Sequence, residues 1–327
     1  MPPSALKTEK SYLLTSASGN LLVGCIGVAM SAISGSQAIL LDGVFNLTYF
    51  VTGLFTVKVV SLVARGDDQR FPHGYAFFEP LVNGIKGTLV LGVSLMALVG
   101  AAQALLAGGR DVAVGTALGY GVFASLACAI LALVTRHGAQ QTQSPLVRAD
   151  AENWVVNFAV SCSMLVAFAG IFLFRAIGLQ ALAPYVDPTV VLAVVIITIF
   201  VPVRMASNAL MEMLNRAPTK EVVQRVVDVV DASLSDLPVT ERFVRVTQPG
   251  RQRMVLVHVV LSPDYSPDGL VALDKIRAQM YAALRASHEA TIVDVLFTTD
   301  RQWGAPLSDG GFGGDVADQN AHMKRPS

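Results

Sequence analysis

The amino-acid sequence predicts an all-α six-helix transmembrane bundle followed by a small α/β cytoplasmic domain of the αββαβ, ferredoxin-like type. Of its 327 residues, 53% are hydrophobic and 15% are charged, whereas about a quarter of an average soluble domain is charged. The charges are also unevenly distributed, because residues 1–215 carry 21 of the 48 Lys, Arg, Asp and Glu. A single soluble globule is therefore excluded.

Six segments are long and apolar enough to span a bilayer. A hydrocarbon core of about 30 Å requires about 20 apolar residues per helix. The segments that meet this requirement are residues 12–32, 38–63, 79–107, 112–134, 145–174 and 186–213. We therefore predict a cytoplasmic amino-terminal segment at 1–11 and a transmembrane domain at 12–215.

The positions of basic residues predict the orientation, because basic residues concentrate in cytoplasmic loops. The amino-terminal segment and the second and fourth loops hold six of them: Lys7, Lys10, Arg65, Arg70, Arg136 and Arg148. The first, third and fifth loops hold Arg110 and Arg175. The sequence thus predicts a multi-pass protein of the plasma (inner) membrane with both termini in the cytoplasm.

The pattern changes after Pro218, where charged residues become frequent. Helical spacing of apolar residues at 221–234 and 270–284 predicts two helices, and β-branched runs at 243–246, 254–261 and 291–297 predict three strands. We assign the αββαβ domain to residues 216–303. Residues 304–327 are rich in Gly, Asp and Asn, which predicts a disordered tail.

Composition also excludes several classes of function. The net charge of zero disfavours a nucleic-acid surface. Cys25, Cys128 and Cys162 lie far apart in apolar runs, which argues against a disulfide framework or a cysteine-based zinc site. No nucleophile–base pair, phosphate loop or H-E-x-x-H motif appears in the sequence. We therefore expect neither an enzyme nor a protein with an organic cofactor.

Polar residues inside the spans are functional candidates, because they are costly in lipid. Asp42 and Asn46 are four residues apart on the second span, and Asp150, Asn153 and Asn157 are spaced by three and four on the fifth. Each set lies on one helical face, and the two faces can meet in an oxygen-lined cavity. Asparagines in membrane helices also bond across helices without any ligand. Lys86 is expected to pair with Asn83 or Glu79.

Five motifs in order resemble those of the cation diffusion facilitator family, which exports divalent metals in exchange for protons. Residues 36–42 with Asn46 resemble its second-helix D-x-x-x-D segment, and residues 70–75 with Glu79 resemble its R-x-P-x-G-Y-G-R-x-E loop. Residues 148–157 fall on its fifth-helix segment. Asp187-Pro188 and residues 214–218 match the start of its sixth helix and its L-D-R-x-P exit. The resemblance extends from about residue 12 to residue 300.

The resemblance implies a metal transport site at Asp42, Asn46, Asn153 and Asn157, with Asp150 able to add a second negative charge. Zinc-transporting relatives carry carboxylates and a histidine there. One carboxylate with three amides suits a harder ion such as Mg²⁺ or Mn²⁺ better. The divalent metal ion is expected as transported substrate (Zn, Mn, Mg, Fe or Co). Amides do not titrate, so few groups remain for proton coupling.

Two histidines outside the spans are further metal candidates. His258 falls on a position where tail domains of the family often bind metal, and the alternative is an ordinary strand histidine. His73 lies close to Asp67 and Asp68, which fits either a metal site in the loop or a solvated loop. The resemblance also implies a homodimer through the cytoplasmic domain and the membrane helices.

Three functions remain open at this point. The first is a proton-coupled exporter of a divalent cation that is not necessarily zinc. The second is a non-transporting relative that acts as a partner subunit or metal sensor. The third is an unrelated membrane scaffold whose tail domain binds a protein. The acid at Asp42 favours the first function, and the amides at the site favour the second.

Overall fold

A computed structural model of the chain describes residues 3–142, 144–267 and 269–306. The chain divides into two compact units, Met1–Met213 and Leu214–Ser327. The first unit contains the apolar segments and the second contains the charged segments.

The first unit is a bundle of membrane-spanning helices. Its helices are α1 (Pro3–Ser34), α2 (Gln37–Val63), α3 (Phe78–Leu106), α4 (Val114–Thr142), α5 (Pro145–Ala176), α6 (Ala183–Thr198) and α7 (Phe200–Met213). Within the described ranges, six stretches are long and apolar enough to cross a bilayer, with α6 and α7 together forming the sixth. The predicted six-helix membrane bundle is confirmed.

Helix α1 begins at Pro3, although apolar periodicity predicted the first span from residue 12. The earlier residues continue the helix, and Glu9 among them packs against the bundle. Glu9 is fully buried, and its Oε1 accepts a hydrogen bond of 2.6 Å from the hydroxyl of Ser144, next to the start of α5. Polar residues at this end therefore contribute to helix packing.

The sixth span is interrupted at Ile199, whereas the sequence predicted one apolar segment from 186 to 213. Pro202 lies three residues after the interruption. Proline has no backbone N–H to donate to the carbonyl of Thr198, and its ring collides with that carbonyl. Such a proline accounts for a break at this point in the span.

Asp187 of α6 holds the start of α2. Its carboxylate accepts hydrogen bonds from the Ser36 hydroxyl (2.5 Å) and from the backbone N–H groups of Gln37 (3.0 Å) and Ala38 (3.1 Å). These N–H groups lack partners within the helix, and the helix dipole favours a negative charge there. Arg110 lies 3.6 Å from the same carboxylate and donates to the Gln37 side chain at 2.7 Å.

Glycines bring α1 and α2 into close contact. A Cβ atom at Gly43 would lie 2.8 Å from the backbone nitrogen of Val28 and 3.0 Å from the carbonyl carbon of Gly27. Small residues are typical of membrane helices whose backbones approach each other. This contact fixes the position of α2 at Gly43, the residue next to Asp42.

The second unit contains α8 (Lys220–Leu234), β1 (Val239–Thr247), β2 (Arg253–Leu261), α9 (Leu270–Ser287) and β3 (Thr291–Thr298). The strand order is β1-β2-β3, with β1 antiparallel to β2 and β2 parallel to β3. The α9 helix provides the crossover that a parallel pair requires. This is the predicted αββαβ order.

Both helices of this unit share a core with one face of the sheet. Val255, Val257 and Val259 alternate along β2 and pack with Val230 of α8 and Met280 of α9. The sequence pattern of β-branched residues explains the strand, because every second side chain points to the same face.

The predicted disordered tail, 304–327, lies outside the described residues from 307 onward. Its first residues are in contact with the sheet. The carbonyl of Gly304 accepts a hydrogen bond of 2.8 Å from Arg245, and Ala305 is buried.

Candidate metal site

A cavity of about 400 Å³ lies in the membrane unit, bounded by α2, α3, α5, α6 and α7. Much of its wall is apolar. Its charged and amide side chains are Asp42, Asn83, Lys86, Glu152, Asn153 and Asn157. These polar side chains come from α2, α3 and α5. Those on α2 and α5 include residues that the sequence analysis proposed as metal ligands.

Asp42 is the buried acid of this cavity. It is 5% exposed, and its Oδ2 accepts a hydrogen bond of 2.5 Å from the hydroxyl of Tyr120 on α4. Within the described part of the chain, Tyr120 is the only side chain that hydrogen-bonds to this carboxylate. Asp42 therefore combines a fixed position with exposure to the cavity.

The α5 helix faces Asp42 with amides. Asn153 and Asn157 both line the cavity and are half-buried. The Nδ2 atom of Asn157 is buried and has no hydrogen-bond partner among the described residues. A buried donor without a partner is costly, so this NH₂ group is available to donate a hydrogen bond to water or to an acceptor atom in the cavity.

Asn46 is buried but does not line the cavity. The side chains of α2 that do so are Asp42, Phe45 and Tyr49, at spacings of three and four. Asn46 lies on the flank toward α1, since neighbouring Gly43 and Leu47 contact that helix. Its Nδ2 donates a hydrogen bond of 2.8 Å to the backbone carbonyl of Asp42.

Asp150 also lies outside the lining, although it is close enough to Lys86 and Tyr49 to interact with them electrostatically. Its neighbour Glu152 does line the cavity. Glu152 is paired with Arg148 at 3.1 Å, one turn earlier on α5, and both side chains are largely exposed.

Lys86 places a cation in the same cavity. Its Nζ lies 4.5 Å from the centroid of the Tyr49 ring. The sequence predicted that Lys86 pairs with Asn83 or Glu79, and this pairing stays a prediction. The contact that its ammonium makes here is with the aromatic face of Tyr49. A ring face attracts a cation through its quadrupole.

The two candidate histidines lie elsewhere. His73 is exposed in the loop between α2 and α3. There the nearby Asp68 already accepts hydrogen bonds from the hydroxyl of Tyr75 (2.6 Å) and the backbone N–H of Arg70 (2.8 Å). These bonds close the loop and hold the pKa of Asp68 below its usual value.

His258 lies on β2 of the second unit, and its Nδ1 is 3.0 Å from a guanidinium nitrogen of Arg245. Burial and the neighbouring Arg245 charge lower the pKa of His258. Because Arg245 donates to Nδ1, only Nε2 remains for a metal, and the adjacent positive charge opposes it. The environment fits a strand histidine in hydrogen-bond contact with its neighbour.

The donor set of the cavity determines which ions it suits. Within the ranges that the structure describes, no group of three or more His, Cys, Asp or Glu side chains is arranged to hold a metal. The cavity offers oxygen atoms from Asp42, Asn153 and Asn157 instead. Oxygen ligands favour hard ions such as Mg²⁺ and Mn²⁺, whereas zinc prefers nitrogen and sulfur.

Sequence reasoning missed Tyr120 and Tyr49. Tyr120 is 1% exposed and lies in the predominantly apolar part of α4. A buried tyrosine hydroxyl usually finds a partner, so its presence was the available signal. The sequence does not indicate which buried acid the Tyr120 hydroxyl contacts.

The membrane unit was compared with known protein families. A family model described as the cation efflux transmembrane domain matches residues 13–214. None of the curated proteins that were compared with the chain matches it. The family match covers the first span from residue 13 onward, the other five spans in full, and every residue that lines the cavity.

Proposed function

This chain is a member of the cation efflux, or cation diffusion facilitator, family, and from that premise we propose that it exports a divalent metal cation in exchange for protons. Membership in the family and the six spans support a multi-pass membrane protein that transports a metal cation. Our proposal adds three properties to this assignment: the direction of transport is export, the ion is divalent, and transport is coupled to protons.

The observation that carries the proposal is that Asp42 shares one cavity with Asn153 and Asn157. These residues come from helices more than 100 positions apart in the chain, yet they face the same space. A carboxylate deep among membrane helices is costly unless it serves a ligand or a proton. A metal ion bound between α2 and α5 would use it.

We propose Mg²⁺ or Mn²⁺ as the preferred ion. Zinc prefers nitrogen and sulfur ligands in a closed tetrahedral site, whereas this cavity supplies the oxygen atoms of one carboxylate and two amides. Ions that retain several waters tolerate such a site better, because the waters complete the coordination shell. The cavity volume of about 400 Å³ leaves room for waters.

Asp42 is also the proposed proton carrier. It is the one acid of the cavity that is buried, since Glu152 is exposed and paired with Arg148. Metal ligands must release their protons before they bind. Entry of a metal ion would therefore expel a proton from Asp42, and loss of the ion would allow its return.

The remaining features of the proposal concern placement and assembly. We expect both termini in the cytoplasm of a plasma (inner) membrane protein, from the basic residues of the second and fourth loops. We also expect a homodimer. Ile292 and Leu296 on β3 are 42% and 49% exposed on one side of the sheet, where a second copy can cover them. We propose no catalytic activity and no nucleic-acid partner.

The test is flux into proteoliposomes that contain a metal-sensitive dye. We expect flux of at least one ion among Mn²⁺, Mg²⁺, Zn²⁺, Fe²⁺ and Co²⁺, accompanied by counterflow of protons. Asp42→Ala should abolish it. Asp67→Ala, which removes an exposed loop carboxylate, is the matched control and should retain it. Flux that survives Asp42→Ala would show that the metal passes elsewhere.

A second candidate function is that of a non-transporting relative, a partner subunit or metal sensor. It is favoured by the same donor set, because the described residues hold no cluster of three acids, histidines or cysteines. Binding of Mn²⁺ without flux of any of the five ions would support this second function.

A further inference from the structure

The two cavity amides of α5 lie beside a tryptophan that packs elsewhere. Asn153 and Asn157 line the cavity, whereas Trp154 lies outside the lining and is fully buried. Successive side chains of a helix point about 100° apart, so Trp154 marks the flank of α5 next to the amide face. There it packs against Cys128 and Ala132 of α4. The α5 helix is therefore held from a flank that takes no part in lining the cavity.

The indole of Trp154 donates its hydrogen bond to α1. Its Nε1 lies 2.9 Å from the hydroxyl oxygen of Ser16, a residue that is 1% exposed. An indole has a single donor, so the orientation of this side chain depends on one contact. A rotation of α5 that turned Asn153 away from the cavity would break the contact and leave a buried donor without a partner, which is costly.

A second buried contact joins the beginning of α5 to the same helix. The hydroxyl of Ser144 donates to Oε1 of Glu9 at 2.6 Å and accepts a hydrogen bond of 3.4 Å from the backbone N–H of Val147. Both Ser144 and Glu9 are almost completely buried. Two contacts with α1, one at Ser144 and one at Trp154, therefore fix the axial position and the rotation of α5.

The α1 helix also contacts the residues that fix Asp42. A Cβ atom at Gly27 would lie 2.7 Å from the hydroxyl of Tyr120, which binds Asp42, and 2.8 Å from the Cα of Gly43. Among the described residues, none of α1 lines the cavity. This helix therefore supports both the acid on α2 and the amides on α5 from outside the site.

We propose that Trp154 and Ser16 are positioning residues of the transport site, which hold the amide face of α5 toward the cavity without touching the ion. This inference rests on the proposed transport function. Outer-shell hydrogen bonds orient the ligands of a metal, and their loss typically lowers metal affinity about 10- to 100-fold. With the indole bonded to Ser16, α5 presents both amides before the ion arrives, so metal binding does not have to order the helix.

The experiment measures the Kd of the full-length protein in detergent, and the KM and maximal rate of flux in proteoliposomes. It uses the ion of the five named above with the largest wild-type flux, which we expect to be Mn²⁺. Trp154→Phe removes the indole donor and keeps an aromatic ring, and Ser16→Ala removes the acceptor. In each variant the Kd and the KM should rise about tenfold. The maximal rate should change less than about twofold, because no group that touches the ion is altered.

Thr135→Val is the control for a loss of stability alone. The Thr135 hydroxyl is buried and donates to the carbonyls of Leu131 (2.6 Å) and Ala132 (3.3 Å) within α4. Its removal should lower the thermal midpoint in detergent and leave the Kd and the KM unchanged, because both bonds lie within one helix. An equal rise of the Kd in this variant would attribute the effect to general destabilisation and overturn the proposal.

The double variant, Ser16→Ala with Trp154→Phe, tests whether the two residues act through one hydrogen bond. Its Kd should equal that of each single variant, because the second replacement finds no bond left to break. Changes that multiply would show independent effects and overturn the proposal.

The remaining outcomes separate this inference from the transport function. A wild-type Kd in both single variants would overturn the positioning role and leave the transport function intact. Absence of flux for all five ions in the wild type would overturn the transport function and, with it, this inference.

Discussion

The hydroxyl of Tyr120 on α4 donates a hydrogen bond of 2.5 Å to the carboxylate of Asp42 on α2, across 78 positions of the chain. Both side chains are almost completely buried. A hydrogen bond to a charged group contributes about 1.5–3 kcal/mol, more than one between neutral groups. This contact therefore fixes the position of the Asp42 carboxylate at the wall of the cavity.

Tyr120→Phe should lower the free energy of unfolding in detergent by about 1.5–3 kcal/mol. For a unit of this size the thermal midpoint should fall by roughly 3 to 10 °C. Tyr185→Phe, at a tyrosine that is 37% exposed, serves as the control and should leave the midpoint unchanged. Equal midpoints for both variants would mean that the hydrogen bond does not stabilise the bundle.

Gly43→Ala should separate α1 from α2, since its Cβ would lie 2.8 Å from the backbone of Val28. Overpacking of this kind costs about 1–3 kcal/mol. Because Asp42 is the adjacent residue, metal flux should fall together with thermal stability. Gly92→Ala has open space around the added atom and should be neutral or stabilising by up to about 1 kcal/mol. A stable and active Gly43→Ala protein would contradict the close contact.

The pKa of His258 should lie below 6.5 in the folded protein and rise toward its usual value in Arg245→Met, because burial and the Arg245 charge both lower it. Burial persists in the variant, so the rise should be partial. NMR of ¹³C-labelled histidine side chains in the full-length protein measures it directly. Arg285→Met, which removes a charge on α9, is the control.

This pKa has a consequence for stability. A histidine whose pKa is lower in the folded state binds fewer protons there than in the unfolded chain. Stability is then complete above the unfolded pKa of about 6.5 and falls as the pH drops below it. The pKa of His288 is lowered in the same direction by burial and Arg253. The second unit should thus lose stability between about pH 7 and 5; a gain would refute the assignment.

Asn153→His together with Asn157→Asp should create or strengthen zinc transport. Both residues line the cavity with Asp42, so the double variant would supply the nitrogen and carboxylate ligands that zinc favours. The Zn²⁺ to Mn²⁺ flux ratio should rise at least tenfold. Asn208→Asp adds a carboxylate on an exposed face of α7 and should leave the ratio as it is in the wild type.

Local patterns were sufficient to predict the spans and the αββαβ order. Apolar runs of fixed length determine a span, and alternation of valines in β2 determines a strand. The interruption at Ile199 was predictable in principle, because Pro202 cannot complete the helix there. The start of α1 at Pro3 was not predictable, since the burial of Glu9 depends on Ser144, 135 positions away.

The site was less accessible to prediction than the fold. Spacing alone placed Asp42 and Asn46 on one face, but the cavity takes the flank of α2 that bears Phe45 and Tyr49, and α1 takes the other. The direction of a helix face depends on its neighbours, which spacing does not specify. The contacts of Tyr120 with Asp42 and of Lys86 with Tyr49 each join two helices and have no local pattern.

Asp187 gives the bundle one end that resists separation. Three hydrogen bonds join its carboxylate to Ser36 and to the first two residues of α2. The sixth span can therefore leave α2 at that end only if all three of these hydrogen bonds break. A rearrangement that keeps these three hydrogen bonds and widens the space between the helices would pivot about Asp187, with the larger displacement at the opposite end of the helices.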